Sequence, residues 1–444
     1  MDNWLEKSAA DQGRALAAGT IDARTLAEAY LDQIDTHPDT DRIYARTTPG
    51  RARADAEAAA KRLAEGHPAG PLDGVPISWK DLYDVADYGC EGGTKLLAGR
   101  IADADATVVA RGTAAGTVCL GKTHTTEIAF SGLGVNPMTA TPPNAVEAWR
   151  APGGSSSGAA VSTKLGLAAA GIGSDTGGSV RIPAAWNDLV GLKTTAGLIP
   201  LNGVVALSPT YDTVGPLTRT VEDAALLFAA MASVPVPDWA GGTLADERLQ
   251  LAETVVLDDC DGQVIEAVDD VLSRLSAKGM SVTRGPVPEF AELYGSIGDV
   301  GAIVPSEAWD LWGETIEANP GTMWPPIEAR FRMGDGVPAA QDNAALMAFA
   351  RTAQKLHARV AEQGLIVCPT APMLPPDAQR LVDDHAYFAE KNMLGLRNTR
   401  IGNLLGLSAV TLPTRTPMCG LMIMAPPASE ARLLSIAAAI EAAI

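Results

Sequence analysis

Apolar positions at helical spacing open the chain. In "DARTLAEAYLDQI", Leu26, Tyr30, Leu31 and Ile34 fall on one face of a 3.6-residue repeat, with Asp22 or Thr20 as N-cap, and residues 4–35 read as helical. "TPGRARADAEAAAKRLAEG" reads as a second helix, rich in alanine and charge and ended by Gly66. The pattern then changes. "LDGVPISWKDLYDV" is apolar and β-prone, "DATVVARGTAA" reads as a helix, and "GTVCLGKT" reads as a short buried strand. "GAAVSTKLGLAAAGIGSD" reads as a helix running into another strand. Helices and strands alternating at short spacing predict an α/β layered fold. Residues 237–330 are less regular and carry Trp239, Trp309, Trp312 and Trp324. Strand-like "GLIVCPTAP", helix-like "GNLLGLSAV" and a last helix in "SEARLLSIAAAIEAAI" follow. No Pro/Gly/Ser-rich linker divides the 444 residues, which read as one large domain, 1–444, with 237–330 as its variable region.

Composition narrows the function classes. The chain is 47% hydrophobic, which argues against disorder, and its formal net charge of −19 repels nucleic acid and anionic membranes. Five cysteines, Cys90, Cys119, Cys260, Cys368 and Cys419, form no CxxC pair, and most sit in apolar runs such as "LIVCPT". They read as reduced core residues rather than a disulfide frame or zinc site. "MDNWLEKSAADQ" has no signal-peptide core, and the longest apolar stretch, "LGLAAAGIG", is too short to span a bilayer. The expectation is a cytoplasmic protein, monomer or homodimer, with neither nucleic acid nor membrane as partner.

Three motifs mislead. "GTVCLGKT", Gly116 to Thr123, matches the P-loop pattern, yet its variable positions are the strand itself and a helix precedes it. "GSSSG", Gly154 to Gly158, matches GxSxG with Ser156 central, but "NAVEAWRAPG" before it is not a strand. Only His357 and His385 remain downstream to complete such a triad, both in charged segments. "GIGSDTG" has the wrong glycine spacing for a dinucleotide fingerprint. Of the five histidines only His124, in "GKTHTTE", lies near other candidate residues, and no paired spacing suggests a metal site.

One constellation remains. "GSDTGGSVRIP", Gly173 to Pro183, sets Ser179 after two glycines, where backbone N–H groups can approach a ligand closely. "PGGSSSG" holds Ser155, and Lys80 ends the apolar run "GVPISWK". Burial lowers a lysine pKa, so a buried Lys80 could replace histidine as base.

"GVPISWKDLYDV", "PGGSSSGAAV" and "GSDTGGSVRIPAAWNDLVGLK" resemble the three core blocks of the amidase signature family. "AGTIDARTLAEAYLDQI", "YDTVGPLTRTVEDAALL", "NTRIGNLLGLSAVTLP" and "MCGLMIMAP" extend the resemblance over most of the chain, leaving 237–330 without a counterpart. It implies a large mixed, mostly parallel twisted sheet covered by helices on both faces, with a signature core at about 70–225. It also implies a Ser–cis-Ser–Lys triad needing no cofactor or metal. Ser179 would be the nucleophile, Ser155 the bridging serine after a cis peptide bond, and Lys80 the base. The N–H groups of Thr176, Gly177, Gly178 and Ser179 would form the oxyanion hole. By their places beside these blocks, Asp175, Arg181 and Asp212 read as scaffold, and Thr126 and Ser131 as candidate pocket residues. His124 and Thr125 replace the Asn and Met usual in relatives, and "GLKTT" replaces GLKPT; both departures bear on substrate preference.

The implied reaction is hydrolysis of a carbon–nitrogen bond in a small-molecule amide or carbamate. Trp309, Trp312 and Trp324, with Met323, Pro325 and Pro326, suggest a pocket for a neutral, apolar or aryl amide, anilide or carbamate, although they could equally pack the variable region. Three alternatives stay open: the amidotransferase subunit of a transamidation complex, a non-catalytic binding relative, and an esterase of the α/β-hydrolase type built on Ser156.

Overall fold

The computed structural model of the chain describes residues 4–300 and 303–444, with side chains through 298 and from 303. Eleven strands are present among them: β1 (Tyr44–Thr47), β2 (Pro76–Lys80), β3 (Val118–Thr123), β4 (Ala170–Asp175), β5 (Val190–Lys193), β6 (Thr213–Thr218), β7 (Arg248–Ala252), β8 (Ser281–Gly285), β9 (Leu365–Pro369), β10 (Ser408–Pro413) and β11 (Gly420–Ala425). They form one sheet in the order β1-β3-β2-β4-β6-β5-β10-β11-β9-β7-β8. The mixed α/β sheet is the one expected, but parallel pairing does not predominate. Only β2–β3, β2–β4, β7–β8 and β7–β9 run parallel; the other six pairings are antiparallel. Parallel neighbours need long crossovers, whereas β10 and β11 are joined by the short turn Thr414–Cys419, which permits only antiparallel return.

Other expectations change in detail. Residues 4–35 hold two main helices, Ala9–Ala17 and Ala23–Thr36, separated at Gly19, where φ is +67°. Asp22 is the N-cap of the second, accepting from the N–H groups of Arg24 and Thr25. The helix Pro49–Ala64 ends before Gly66 as its sequence indicates. "GNLLGLSAV" divides: its first half closes the helix His385–Leu404 and its second half opens β10. The segment 237–330 is regular, holding β7, β8 and the helices Gly262–Ala277, Pro288–Val300, Ile303–Ala318 and Pro325–Arg332.

Two strands position the site. On β2, Ile77 and Trp79 enter the main core with Leu26, Tyr30 and Ile34. By two-residue alternation Ser78 and Lys80 take the opposite face, and Ser78 Oγ lies 2.9 Å from Ser162 Oγ of the helix Ser157–Lys164. On β4, Ala170 and Ile172 enter the same core. Gly171 faces that helix so closely that a Cβ would stand 2.5 Å from the Ala159 carbonyl oxygen. The glycine lets helix and strand touch backbone to backbone, which brings the Ser155 loop to the end of β4.

Gly171→Ala is therefore expected to destabilise the fold by about 1–3 kcal/mol through overpacking against backbone. Denaturant unfolding checks this; an unchanged midpoint would mean that the strand–helix contact is looser than described.

Candidate active site

Lys80, the last residue of β2, is fully buried. Its Nζ donates to Ser155 Oγ at 2.6 Å and to Ser174 Oγ, on β4, at 2.9 Å. Burial pushes the Lys80 pKa down to about 7, against the opposing pull of the Asp212 and Asp175 carboxylates.

Ser155 occupies the turn before the helix Ser157–Lys164, and the Gly154–Ser155 peptide bond is cis. Its carbonyl accepts from Thr125 Oγ1 at 2.9 Å and Ser157 N at 2.9 Å. Thr125, one of the departures noted above, therefore braces the serine turn. His124 is buried beside it, its Nε2 3.1 Å from the Asp41 carbonyl, and burial lowers its pKa.

Ser179 sits between β4 and the short helix Arg181–Trp186. The two serine loops meet where Ser156 N–H donates to the Ser179 carbonyl at 3.2 Å. Asp175 fixes this loop: Oδ1 accepts from Gly178 N at 2.8 Å and Oδ2 from Val180 N at 3.1 Å. Arg181 answers with Nε on Oδ2 at 3.0 Å and Nη2 on Oδ1 at 2.9 Å. Burial opposes ionisation of Asp175, but the Arg181 guanidinium holds its carboxyl well below the usual range. Arg181 also donates to the Thr399 carbonyl at 2.7 Å and Asn403 Oδ1 at 2.6 Å, tying the loop to the helix His385–Leu404. The scaffold expected of Asp175 and Arg181 is a fully buried ion pair.

One expected donor is corrected. The Gly178 N–H belongs to Asp175, so it is not free for an oxyanion. Gly178 serves by lacking a side chain: at φ +138° a Cβ would stand 2.1 Å from Thr399 Oγ1. Among the described residues, the N–H groups of Thr176, Gly177 and Ser179 have no protein acceptor. Thr176 Oγ1 donates to Asp212 Oδ1 at 2.5 Å, and Asp212 Oδ2 accepts from Leu207 N and Ser208 N. Burial pushes Asp212 up to about 6. It is scaffold, as expected.

Thr176, Gly177 and Ser179 open onto a cavity of about 790 Å³, its mouth included. Ser131 lines it as expected; Thr126 does not, its Oγ1 instead donating to the Ser131 carbonyl at 3.4 Å. The tryptophans do not line it either. Trp324 packs edge-on against Phe388, its backbone N–H held by Glu127, and Trp312 Nε1 donates to the Ala206 carbonyl. They belong to the core that holds 237–330 against Phe130, Trp186 and Phe388, while Phe130, Leu207, Ile297, Val304, Leu396 and Leu404 supply the apolar walls. Two polar lining residues escaped the sequence reading, Arg330 and Arg400. They are 70 positions apart on separate helices, and no local motif joins them.

The misleading motifs have plain structural roles. Ser156 Oγ is buried and donates to the Ser174 carbonyl at 3.2 Å. His385 stacks edge-on with Trp324, and His357 lies on the long helix Ala339–Gln363. In "GTVCLGKT", Lys122 Nζ is buried against Asp81 Oδ1 at 2.9 Å, on β3 itself. Among the described residues, no cluster of three metal-binding side chains occurs and no helix is long and apolar enough to cross a membrane.

The mixed α/β sheet and the buried lysine and serine loops beside the cavity are matched by a family of known enzymes. The amidase family model matches residues 25–434, and the chain belongs to that family. It is 38% identical over 408 residues to the 2-amino-5-chloromuconic acid deaminase of Comamonas testosteroni, covering 89% of this chain and 87% of that one. It is 30% identical over 460 residues to a glutamyl-tRNA(Gln) amidotransferase subunit from Chloroflexus aurantiacus, covering 95% and 93%. A crystal structure of an amidase superposes with TM-score 0.87 at 26% identity, over 98% and 99% of the two chains. The chain is an amidase-signature enzyme hydrolysing carbon–nitrogen amide bonds. The α/β-hydrolase esterase reading falls with its elbow.

Arg181→Ala would leave the Asp175 carboxylate buried without its counter-ion, and a loss of about 3–5 kcal/mol is expected. Denaturant unfolding measures it; a loss below about 1 kcal/mol would show that backbone donors alone sustain Asp175.

Proposed function

We propose that the chain hydrolyses a small-molecule amide through an acyl-enzyme on Ser179, with Ser155 and Lys80 as proton relay. The observation that carries this reading is the 2.6 Å contact between the buried Lys80 Nζ and Ser155 Oγ, beside the loop that presents Ser179 to the cavity. Neutral Lys80 accepts the Ser155 proton as Ser155 accepts that of Ser179. Ser179 Oγ then bonds to the substrate carbonyl carbon. The oxyanion that develops faces the N–H groups of Thr176, Gly177 and Ser179, a contribution of about 3–4 kcal/mol per donor. As the tetrahedral species collapses, the C–N bond breaks. Ser155 passes its proton to the leaving nitrogen and recovers one from Lys80. Water attacks the acyl group by the same relay, releasing a carboxylic acid and restoring Ser179.

The apolar walls support a substrate with an apolar body, and the deaminase relative, named for a small organic acid, supports a small-molecule substrate. A carbamate offers the same carbonyl–nitrogen geometry and fits the same relay. Ile297, Val304 and Arg330 all come from the 237–330 segment, which supports its reading as the pocket-forming part of one catalytic domain. The amidotransferase likeness favours a second reading in which glutamine is the amide and a partner takes its ammonia.

A pool of small amides, anilides, carbamates and esters, with glutamine alongside, tests both readings by released amine or alcohol. A phosphonyl fluoride is expected to label Ser179, and Ser179→Ala to lose label and turnover together. Activity within tenfold of wild type in that variant, or label on Ser156 with ester cleavage alone, would overturn the assignment. Turnover of glutamine alone would favour the amidotransferase reading.

The relay requires neutral Lys80, so kcat/KM is expected to rise about tenfold per pH unit below about 7 and level off above it. Asp212→Asn removes a carboxylate that favours the ammonium, so the acid limb should move to lower pH. A profile flat from pH 5 to 9 would exclude Lys80 as the base.

A further inference from the structure

Met393, on the helix His385–Leu404, lines the cavity that holds Ser179 and is 48% exposed, so it stands at the mouth. Two guanidiniums from different helices close on its sulfur: Sδ is 4.0 Å from Arg330 Nη1 and 3.6 Å from Arg400 Nη2. Arg330 Nε donates to the Phe130 carbonyl at 2.9 Å and Arg400 Nη2 to the Met393 carbonyl at 3.3 Å. Among the described residues, neither arginine has a carboxylate at ion-pair distance, whereas Arg332 is paired with Glu328 at 2.8 Å. Burial and then the Arg400 charge push the Arg330 pKa down to about 10. A thioether is a weak acceptor, so it does little for two neighbouring cations. Arg181 Nη1 also lies 3.2 Å from a sulfur, that of Met422, but Met422 is fully buried and Arg181 has the Asp175 carboxylate.

We propose that Met393 is a site of reversible oxidation, and that a peroxide converts it to a sulfoxide whose oxygen Arg330 and Arg400 hold across the mouth of the cavity. The thioether sulfur attacks one peroxide oxygen and the O–O bond breaks. The sulfur loses two electrons and gains that oxygen, and the other oxygen leaves as water. The spacing suits the product. An oxygen about 1.5 Å from sulfur that accepts N–H bonds of about 2.9 Å at a bent angle sets sulfur about 3.7–3.9 Å from each nitrogen. Both guanidiniums already stand near that distance, so the sulfoxide gains two charge-assisted hydrogen bonds with little movement. It thereby ties the helix Pro325–Arg332 to the helix His385–Leu404 and replaces apolar surface at the mouth with a polar bridge. An oxygen that bridges both donors must lie between them, and in a given rotamer only one sulfoxide epimer puts it there. Formation of the sulfoxide is independent of the Ser179 chemistry; its effect on entry rests on that reading.

The protein is treated with hydrogen peroxide, sulfoxides are located by peptide mass, and their epimers are distinguished with the two stereospecific classes of sulfoxide reductase. Met333 and Met347, 65% and 64% exposed and hydrogen-bonded to no guanidinium, are internal controls. Met393 is expected to give one epimer in about tenfold excess or more, the controls a mixture, as a difference of one charge-assisted hydrogen bond implies. Arg400→Gln should bring the Met393 ratio close to that of the controls. A neutral phosphonyl fluoride should label Ser179 about 3–10-fold more slowly after oxidation, and the matching reductase should restore the rate. Met393→Leu should label at one rate before and after peroxide. Mixed epimers at Met393, an unchanged ratio in Arg400→Gln, or oxidation of the controls with Met393 untouched would overturn the site. A single epimer with unaltered labelling would overturn the closing of the mouth. No label on Ser179 in untreated protein would overturn the Ser179 reading alone, since the epimer ratio is read without it.

Discussion

The buried carboxylate of Asp175 is the constraint on which the site depends. It ends β4, so its position is fixed by the centre of the sheet. From there it takes the N–H groups of Gly178 and Val180 and both faces of the Arg181 fork. The loop between curls around it, and Thr176, Gly177 and Ser179 line the cavity. Arg181 extends the same constraint to Thr399 and Asn403, so the far end of the chain is referenced to the same atom pair. A buried ion pair contributes little net stability over a well-packed apolar substitute. Its value here is geometric. The ionised state persists well into acid, because a depressed aspartate pKa gives stabilisation that is full above about pH 4 and fades only below it.

Desolvation acts in the opposite sense on Lys80. Asp175 has a full counter-ion and stays charged, whereas Lys80 meets only hydroxyls within hydrogen-bond distance and is driven toward the neutral amine. Asp212, its nearest carboxylate influence, is itself pushed up to about 6 and is saturated by Thr176, Leu207 and Ser208 donors. One low-dielectric interior therefore holds a fixed charge and an exchangeable proton side by side. What separates them is the bidentate guanidinium given to one and not to the other.

The chemistry-bearing blocks were legible in the sequence because each is short and local. A lysine at a strand end, a serine turn before a helix and a glycine pair before Ser179 are all one-turn features. The P-loop and GxSxG matches were set aside for lack of the right flanking elements, and β3 and the Ser156–Ser174 contact show the physical reason. What escaped was long-range. Strand direction depends on connections that the apolar pattern does not encode, so the sheet holds more antiparallel pairs than expected. The Gly178 N–H looked like any other in its loop until the Asp175 side chain claimed it. The tryptophans of 309–324 read as pocket because aromatic residues often line pockets, yet they fill the space behind the wall. Arg330 and Arg400 carried no signal, since only the packing of two distant helices brings them to one sulfur.

The relay proposed for Ser179 and the wall of the cavity draw on different parts of the chain. Lys80, Ser155, Ser174 and Ser179 all lie at the ends of β2 and β4 or in the loops beside them, within the first half of the chain. Those two strands pair parallel and are buried on both faces, so changes there disturb the core. Most of the cavity wall comes instead from 297–333 and from the helix His385–Leu404, segments that contribute no strand to that part of the sheet. The two parts are joined at many points, among them Arg181 to Thr399 and Asn403, Thr399 to Gly177, Ser131 and Gly132 to Asn392, Arg330 to Phe130, and Glu127 to Trp324. Burial pushes the Glu127 pKa up to about 7, and no cationic side chain pairs with it directly. The coupling through Arg181 is pinned by an ion pair, whereas the coupling through Glu127 depends on a carboxylate half-way to protonation at neutral pH.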